Sequence, residues 1–314
     1  MMATVLLLGE PMVLLTGTKT GPLKEVELFK KSLAGAELNV AIGLTRLNHK
    51  VAYISQLGND SMGKYIKETI EKEGIISDYI NFTDCSFTGL MMKNQVDIGD
   101  PEIAYFRKGS AFSYLNQELI EEIDLTNIKH IHLTSIPLAL SKTVRTAVEK
   151  LIDKAKEQGI YLSFDPNIRP SLWDSKTEMI ETINSFASKV DMFLPGISEA
   201  MLLTGLKDEI EIADYYQSLG IETIIIKLGE KGAFVKDKKA SYYVDGYQVE
   251  KVIDTVGAGD GFAVGVISAK LEGFSIKEAV KRANVIGAIQ VTTLGDNEGL
   301  PTKEKLNDYI DYLK

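Results

Sequence analysis

The stretch DTVGAGDGFAVG, residues 254–265, places a glycine-rich turn and a carboxylate at the start of a helix-forming run. Gly257, Ala258 and Gly259 leave backbone N–H groups free to face an anion, and the helix dipole adds to the attraction. Asp260 lies inside this anion site, where a carboxylate repels phosphate unless it must remove a proton from a hydroxyl. The arrangement suits phosphoryl transfer with Asp260 as the base. A glycine-rich helix start with an ordinary capping aspartate is the alternative.

Composition and charge limit the class of protein. The chain has 314 residues, 45% of them hydrophobic and 25% charged, as in a globular protein. A net charge of −9 argues against nucleic acid or an anionic membrane as a partner, so an anionic ligand needs local arginines, helix ends or metal ions. One cysteine fits a reducing cytoplasm, and the opening MMATVLLLGE is interpreted as a buried strand rather than a signal peptide. We expect no membrane span.

Alternating strands and helices are expected to position the turn. Strand-like runs lie at 4–8, 50–55, 130–134, 161–164, 191–195 and 223–229, and helical periodicity occurs at 36–48, 61–74, 141–159 and through most of the chain after about 255. This alternation predicts a Rossmann-like α/β fold, with a doubly wound, mostly parallel sheet flanked by helices. Ligands are then expected at the carboxyl ends of the strands.

Two segments break the alternation. Residues 10–33 contain the turn signal TGTKTGP, and residues 86–110 read as two strands joined by VDIGDP. Neither segment is needed to complete the sheet. We therefore expect them to form a small β lid over its edge, within a single domain of residues 1–314.

Two long motifs resemble signatures of the ribokinase-like (PfkB) carbohydrate kinases. DTVGAGDGFAVGVIS resembles the carboxy-terminal signature, and AGAELNVAIGLTRLNHKVAYISQLGNDSMG, residues 34–63, resembles the amino-terminal one. They occur in the family's order, and the resemblance extends over essentially the whole chain. It implies a ribokinase-like fold that transfers the γ-phosphoryl group of ATP to a sugar hydroxyl, with Asp260 as catalytic base and Gly257, Ala258 and Gly259 as anion hole.

The resemblance also implies a nucleotide side. The ATP-side residues it implies are Asn167, Arg169, Lys227, Gly229, Gly232, Gly257, Gly259 and Asn284. From the residues alone, KLGEKGAFV (227–235) is equally a simple strand–turn–strand, and Asn284 is equally an exposed helical residue. Mg²⁺ is expected to bridge nucleotide phosphates, with Glu199 acting through water. Gly196 stands where the family's Asn-x-x-Glu segment has asparagine. A monovalent cation such as K⁺ near the Asp254 loop is a further candidate.

Two arginines indicate the kind of sugar. Tyr105 and Arg107 lie two residues apart on a predicted lid strand, and Arg169 follows the carboxyl end of a central strand. Two arginines exceed the needs of a neutral sugar and suit a carboxylate, which arginine binds through two parallel hydrogen bonds. There are alternatives for each arginine. Arg169 could instead face the transferring phosphate or be a structural ion-pair partner, and Arg107 could be an exposed lid residue.

The pattern YFRKGSA with DPNIRPSLW is similar to that of 2-keto-3-deoxygluconate kinases within the family. This similarity implies phosphorylation of that sugar acid at its terminal 6-hydroxyl. The substrate-side residues it implies are Gly35, Ala36, Glu37, Leu38, Asn39, Met91, Tyr105, Arg107, Arg169, Asp260 and Asp296. Met91 stands where those enzymes can carry tyrosine, which leaves gluconate or galactonate stereochemistry open.

Three other expectations accompany this one. A fructokinase or ribokinase-type kinase of a neutral sugar is the nearest alternative function. A non-catalytic sugar-acid sensor on a kinase fold is an alternative of another class. The family also implies a homo-oligomer, a dimer or higher, whose lids pair between subunits.

Overall fold

Short apolar strands and amphipathic helices alternate in the computed structural model, which describes residues 2–96, 101–293 and 295–312. The strands are β1 (Val5–Leu8), β2 (Met12–Thr20), β3 (Phe29–Ala34), β4 (Val51–Gly58), β5 (Ile80–Thr83), β6 (Leu90–Gln95), β7 (Ile103–Phe106), β8 (His130–Thr134), β9 (Tyr161–Asp165), β10 (Met192–Phe193), β11 (Thr223–Lys227), β12 (Ala233–Lys236) and β13 (Ser241–Val244). The helices are α1 (Ala36–Arg46), α2 (Ser61–Lys72), α3 (Gln117–Glu122), α4 (Ile136–Leu140), α5 (Lys142–Glu157), α6 (Lys176–Ala187), α7 (Ile197–Thr204), α8 (Glu209–Ser218), α9 (Ala258–Leu271), α10 (Ile276–Gln290) and α11 (Lys303–Tyr312).

A nine-stranded sheet forms the centre, in the order β13-β12-β11-β10-β9-β8-β1-β4-β5. From β11 to β5 every neighbouring pair is parallel, whereas β12 runs antiparallel to both of its neighbours, β11 and β13. Parallel strands need crossover connections, which the intervening helices supply. The predicted doubly wound, mostly parallel α/β sheet is therefore confirmed.

Helices cover both faces of this sheet. Successive side chains of β1 point to opposite faces, so Leu6 and Leu8 join one apolar layer while Val5 and Leu7 join the other. The first layer contains residues of α3 to α8, and the second contains residues of α1, α2, α9, α10 and α11. A strand buried on both faces reads as a continuous apolar run, which explains why VLLL was recognisable from sequence.

The two segments that interrupt the alternation form a second, four-stranded sheet, in the order β3-β2-β6-β7, which we call the small sheet. β2 pairs antiparallel with β3 and parallel with β6, and β6 pairs antiparallel with β7. The predicted turn VDIGDP includes residues 97–100, which lie outside the described residues. The expected small additional β-sheet is confirmed, and its strand β3 ends at Ala34, one residue beyond the predicted segment.

The connections after the parallel strands gather at one edge of the large sheet. They include the segments after β9, β10 and β11, and the turn before α9. Every helix in the part of the chain that the structure describes is too short or too polar to cross a bilayer.

Candidate active site

A cavity of about 450 Å³ lies between the small sheet and the carboxyl ends of the large sheet. We call it the small-sheet cavity. Met91 and Tyr105 come from the small sheet, while Asp165 and Lys227 end the strands β9 and β11. Its other lining residues are Glu10, Met12, Ala34, Gly35, Ala36, Glu37, Asn39, Lys93, Ile103, Arg107, Ile136, Asn167, Arg169, Glu199, Thr255, Val256, Gly257, Gly259, Asp260 and Asp296.

A second cavity, of about 930 Å³, adjoins the first beside helix α10, and we call it the α10 cavity. The four residues that line both cavities are Glu199, Lys227, Thr255 and Gly259. The other residues of the α10 cavity are Gly196, Ile197, Ser198, Leu228, Gly229, Glu230, Gly232, Gly246, Tyr247, Gln248, Val249, Val252, Ala258, Phe262, Asn284, Gly287, Ala288 and Val291. Two ligands bound side by side would therefore meet at the glycine turn before α9.

Asp260 faces the small-sheet cavity from the first turn of α9. Asn39 Nδ2 donates to its Oδ2 at 2.8 Å, and Asn167 Nδ2 donates to its Oδ1 at 3.1 Å. Burial raises the pKa of Asp260 to about 7, although the Asn39 hydrogen bond and the cations Arg169 and Lys227 act to lower it. A carboxyl group with this pKa, held on both oxygens, suits a general base that works near neutrality.

The glycine turn has a backbone that only glycine adopts easily. Gly257 has φ +76°, and a Cβ there would lie 2.1 Å from the carbonyl oxygen of Asp296. The buried Gln290 fixes this packing, because its Nε2 donates to the carbonyls of Val256, Gly295 and Asp296. Helix α9 starts at Ala258, so its first N–H groups lack intrahelical acceptors. The turn therefore presents N–H groups where the two cavities meet.

Lys227 lies at this junction as well. Its Nζ lies 2.6 Å from Asp165 Oδ2, which joins the ends of β11 and β9. Burial acts to lower the pKa of Lys227, but Asp165 and Glu199 outweigh it and raise the pKa above its ordinary value. Lys227 is therefore a permanent cation between the two cavities.

Arg107 is buried and paired. Its Nε and Nη2 lie 2.7 and 2.5 Å from Glu10 Oε2, and Ser110 Oγ donates to the other oxygen of Glu10. The side chains of Arg107 and Glu10 are 7% and 1% exposed. Glu10 occupies two of the five N–H donors of the guanidinium, so the rest remain available toward the cavity that Arg107 lines.

Arg169 differs from Arg107. It is exposed, and its Nη1 donates to the carbonyl of Ile168 at 3.2 Å. Within residues 2–96, 101–293 and 295–312 it forms no ion pair, whereas Lys93, Arg107 and Lys227 each pair with a carboxylate. Arg169 is thus the cavity cation with the most free hydrogen-bonding capacity.

Two further carboxylates are buried in the cavity wall. Burial raises the pKa of Glu37 to about 7 and that of Asp296 to about 6. Glu37 Oε1 accepts from Thr134 Oγ1, while Glu37 Oε2 and Asp296 Oδ1 have no hydrogen-bond partner in the described part of the chain. Both groups are therefore largely protonated under mildly acidic conditions.

Comparison with known proteins identifies the chain. Residues 2–303 match the pfkB family carbohydrate kinase domain. This chain belongs to the PfkB family. It is 45% identical to 2-dehydro-3-deoxygluconokinase from Bacillus subtilis (strain 168), over 96% of this chain and 94% of the relative. The expected enzyme class, a phosphotransferase with an alcohol group as acceptor, is thereby confirmed.

Solved structures give the same family fold. The PfkB protein from Polaromonas sp. JS666 has a TM-score of 0.89 and 41% identity, covering 98% of this chain and 99% of that one. A protein of E. coli assigned as Ribokinase II, in complex with ATP and Mg²⁺, has a TM-score of 0.90 and 26% identity, covering 99% and 100%. The ribokinase-like fold expected from the two signatures is confirmed.

The structure brings most of the family-implied residues to the two cavities. Of the segment 35–39, Leu38 is the exception, because it is fully buried in the core and does not line the small-sheet cavity. Its side chain lies on the core face of α1, so the expectation that it lines the sugar pocket is wrong. Asn167 and Gly257, expected on the nucleotide side, line the small-sheet cavity and not the α10 cavity, and so does Arg169, which was expected on both sides.

The nucleotide-side residues are placed by tight backbone packing. Gly232 has φ +94°, and a Cβ there would lie 2.1 Å from the carbonyl oxygen of Val244. Asn284 is buried rather than exposed, and its Nδ2 donates to the carbonyls of Val244 and Asp245 at 3.3 and 2.9 Å. Asn284 thereby holds the end of β13, and Gly232, Asn284 and Gly229 all line the α10 cavity.

Glu199, the carboxylate that the sequence associates with Mg²⁺, lies where the two cavities meet. Residues 2–96, 101–293 and 295–312 contain no group of three or more side chains that would hold a metal. Glu199 lines both cavities, and its two oxygens accept the N–H groups of Ile168 and Gly196 at 2.7 and 2.8 Å. Mg²⁺ commonly keeps several waters and takes few protein ligands beside substrate phosphates. Glu199 is suited to bind one of those waters.

Three functional candidates were missed from sequence. Glu10 pairs with Arg107, Lys93 pairs with Asp254, and the segment 246–252 walls the α10 cavity. The two ion pairs join residues far apart in the chain. An apolar-to-acidic change at the end of β1, where Glu10 follows VLLLG, was the one available signal for Glu10.

Proposed function

We propose that this chain is an ATP-dependent kinase that phosphorylates 2-keto-3-deoxygluconate at its 6-hydroxyl. The observation that carries the proposal is the placement of Asp260 and the unpaired Arg169 in one cavity, which meets the α10 cavity at the glycine turn. The name of the Bacillus subtilis relative refers to the same sugar acid, since 2-dehydro is the systematic form of 2-keto.

The chemical step uses Asp260 and the glycine turn. Asp260 accepts the proton of the 6-hydroxyl as the sugar oxygen forms its bond to the γ-phosphorus of ATP. The bond from that phosphorus to the β–γ bridging oxygen breaks, and ADP leaves with its electron pair. N–H groups at the start of α9 and the Lys227 ammonium stabilise charge on the transferring group. Asn39 and Asn167 orient the Asp260 carboxylate for the proton transfer.

The sugar carboxylate binds in the small-sheet cavity, which both Arg169 and Arg107 line. Arg169 offers a guanidinium that has no ion-pair partner among the described residues, and the N–H groups of Arg107 that Glu10 leaves free lie in the same cavity. Two guanidinium groups favour a carboxylate over a neutral hydroxyl, because charged hydrogen bonds are about twice as strong as neutral ones. Since Glu10 offsets the charge of Arg107, Arg169 makes the larger contribution.

ATP occupies the α10 cavity, where the adenine ring packs against apolar side chains such as Val252, Phe262 and Val291. Its phosphates extend toward Gly259 and Lys227, which line both cavities. Mg²⁺, when bound, offsets the charge of those phosphates. K⁺ near Asp254 remains a candidate from the family resemblance, and its expected position lies beside the Lys93 ammonium.

The small sheet acts as a lid on a single domain of residues 1–314. Excluding water matters because an open site would let water replace the sugar as the phosphoryl acceptor. Exposed apolar side chains of this region, Leu28, Ile103 and Phe106, support a homo-oligomer in which two small sheets pair. ATP as phosphoryl donor and the single cysteine support a cytoplasmic location for the enzyme.

A kinase of a neutral sugar is the second candidate. The pairing of Lys93, Arg107 and Lys227 with carboxylates favours it, since it leaves the cavity less cationic than its side chains suggest. Asp260 and the glycine turn would then do the same chemistry on fructose or ribose.

Release of ADP from Mg-ATP tests both candidates. The substrates are 2-keto-3-deoxygluconate, its galactonate epimer, fructose and ribose, and phosphorus–proton NMR of the product locates the phosphate. Selective turnover of the keto-deoxy acids with phosphate on the 6-oxygen supports the proposal. Turnover of fructose or ribose alone replaces it with the neutral-sugar kinase. Binding of the sugar acid without ADP release would indicate a sensor.

A further inference from the structure

Lys93 is a buried cation that crosses from the small sheet to the body of the molecule. It lies on β6, and its side chain is 9% exposed although it carries a charge. Its Nζ lies 3.3 Å from Asp254 Oδ2, on the segment that leads into the glycine turn. Burying an ammonium is costly unless it is paired, so the position of the small sheet depends on this contact.

Asp254 organises the backbone on both sides of the glycine turn. Its Oδ1 accepts the N–H of Val256 at 3.0 Å, one residue before Gly257. Its Oδ2 accepts the N–H of Gly295 at 3.4 Å, next to Asp296, whose carbonyl packs against Gly257. One carboxylate therefore holds together the two segments that fix the conformation of Gly257.

Lys93 offsets negative charge beside the glycine turn. Asp254 and Asp296 lie close enough that the charge of Asp254 raises the pKa of Asp296, and that of Lys93 lowers it. Two carboxylates beside the turn would weaken its attraction for a phosphate. The Lys93 ammonium both offsets this charge and holds the Asp254 oxygen toward Gly295.

We propose that Lys93 is a positioning residue, which couples closure of the small sheet to the anion-binding turn through Asp254. This inference rests on the proposed phosphoryl transfer but not on the identity of the sugar. In an open lid Asp254 loses its cation, and the turn binds the transferring phosphoryl group less well. Closure over a sugar restores the pair, so phosphoryl transfer follows sugar binding and hydrolysis of ATP by water is suppressed.

The test compares Lys93→Met with Lys93→Arg and with Lys30→Met. Lys30 lies on β3 of the same sheet, and it is exposed, so its change removes a lid charge away from Asp254. We expect Lys93→Met to lower kcat about 10–100-fold, less than the roughly 10²–10³-fold loss for removing an anion-hole donor itself, with KM for the sugar changed less than about threefold. Lys93→Arg should recover most of kcat, and Lys30→Met should behave as the wild type.

A double-mutant cycle of Lys93→Met and Asp254→Asn distinguishes an effect of Lys93 through Asp254 from a general loss of structure. If Lys93 acts through Asp254, the double variant loses no more kcat than the worse single variant, because both remove the same interaction. Thermal unfolding and ATP binding verify that each variant is folded, and Lys93→Gln replaces Lys93→Met if the latter does not fold.

Two results would overturn the proposal. One is a kcat that shows no coupling between Lys93 and Asp254. Either kcat is unchanged in folded Lys93→Met, or the kcat losses of the two single variants add in the double variant. The other is a rise in KM confined to an acidic sugar, which would make Lys93 a direct ligand of the substrate carboxylate. All rates are measured with whichever sugar the wild type phosphorylates, so a wrong substrate assignment is detected separately from a wrong role for Lys93.

Discussion

The two cavities share a wall but are built from different chemistry. The small-sheet cavity is lined by charged side chains, and three of its four cations are paired with carboxylates at the ends of separate elements. The α10 cavity is lined by glycines and by apolar side chains such as Val249 and Ala288. One cavity thus selects its ligand through side-chain charge, and the other through shape and backbone groups.

This difference decides where single substitutions act strongly. A charged contact in a partly buried cavity is lost as a whole when one side chain is removed. An apolar and backbone-lined cavity distributes its binding energy over many weak contacts, so removing one of them changes little. Substitutions in the small-sheet cavity should therefore have larger effects than those in the α10 cavity.

The largest effect is expected at Asp260, which lines the small-sheet cavity. Asp260→Asn keeps the size of the side chain but removes the proton acceptor, so kcat should fall about 10²–10⁴-fold. KM for ATP should change little, because Asp260 faces the small-sheet cavity. Steady-state ADP release measures both constants, and thermal unfolding of the variant serves as the control. A variant with wild-type turnover would contradict the role of Asp260 as base.

The next largest effect is expected at Arg169. Arg169→Ala removes a guanidinium that has no ion-pair partner in the described residues, so kcat/KM for the acidic sugar should fall about 10²-fold or more. The value for a neutral sugar, if any is turned over, should change only severalfold. Equal losses for acidic and neutral sugars would mean that Arg169 instead faces the transferring phosphate.

Arg107 offers the contrast to Arg169. Arg107→Ala leaves the carboxylate of Glu10 buried without its cation, which typically costs about 3–5 kcal/mol of folding stability. Activity loss in that variant would therefore mix lost binding with lost stability. Urea unfolding of both Arg107→Ala and Arg169→Ala distinguishes lost binding from lost stability. Only Arg107→Ala should show a large decrease in the free energy of unfolding.

The pH dependence of the reaction tests whether burial raises the pKa of Asp260. Burial raises the pKa of Asp260 to about 7, and the base must be deprotonated to accept the hydroxyl proton. The value of kcat/KM should therefore be level above about pH 7 and fall about tenfold per unit at lower pH. Protonation of Asp296, whose pKa is about 6, would cause a second decrease in kcat/KM at a lower pH than the decrease caused by Asp260. Asp296→Asn should remove that second decrease, and a flat profile between pH 5 and 8 would contradict the assignment.

The sequence predicted those parts of the molecule that depend on local patterns. Continuous apolar runs such as that of β1 identify strands covered on both faces, and the breaks in alternation identified the small sheet. The glycine turn and Asp260 were recognisable because several residues that serve one site are adjacent in the chain. Their backbone conformation, with Gly257 at φ +76°, follows from the residue type.

The parts that were missed depend on distant segments. Nothing near Lys93 indicates that its ammonium reaches Asp254, because the two residues meet only when the small sheet folds over the body. Likewise, the buried Glu10 converts Arg107 from a free cation into half of an ion pair. Leu38 shows the opposite error, since a motif position was assigned to the pocket although the helix turns its side chain into the core.

The smallest effect is expected in the α10 cavity, and it tests whether the backbone there binds ATP. Asn284 holds the carbonyls of Val244 and Asp245 at the end of β13, so Asn284→Ala should loosen the hairpin end without removing a charge. We expect KM for ATP to rise about 3–10-fold, corresponding to about one net hydrogen bond of about 1 kcal/mol. KM for the sugar should not change. A loss as large as that of Arg169→Ala would mean that one side chain dominates nucleotide binding, and the contrast between the two cavities would not hold.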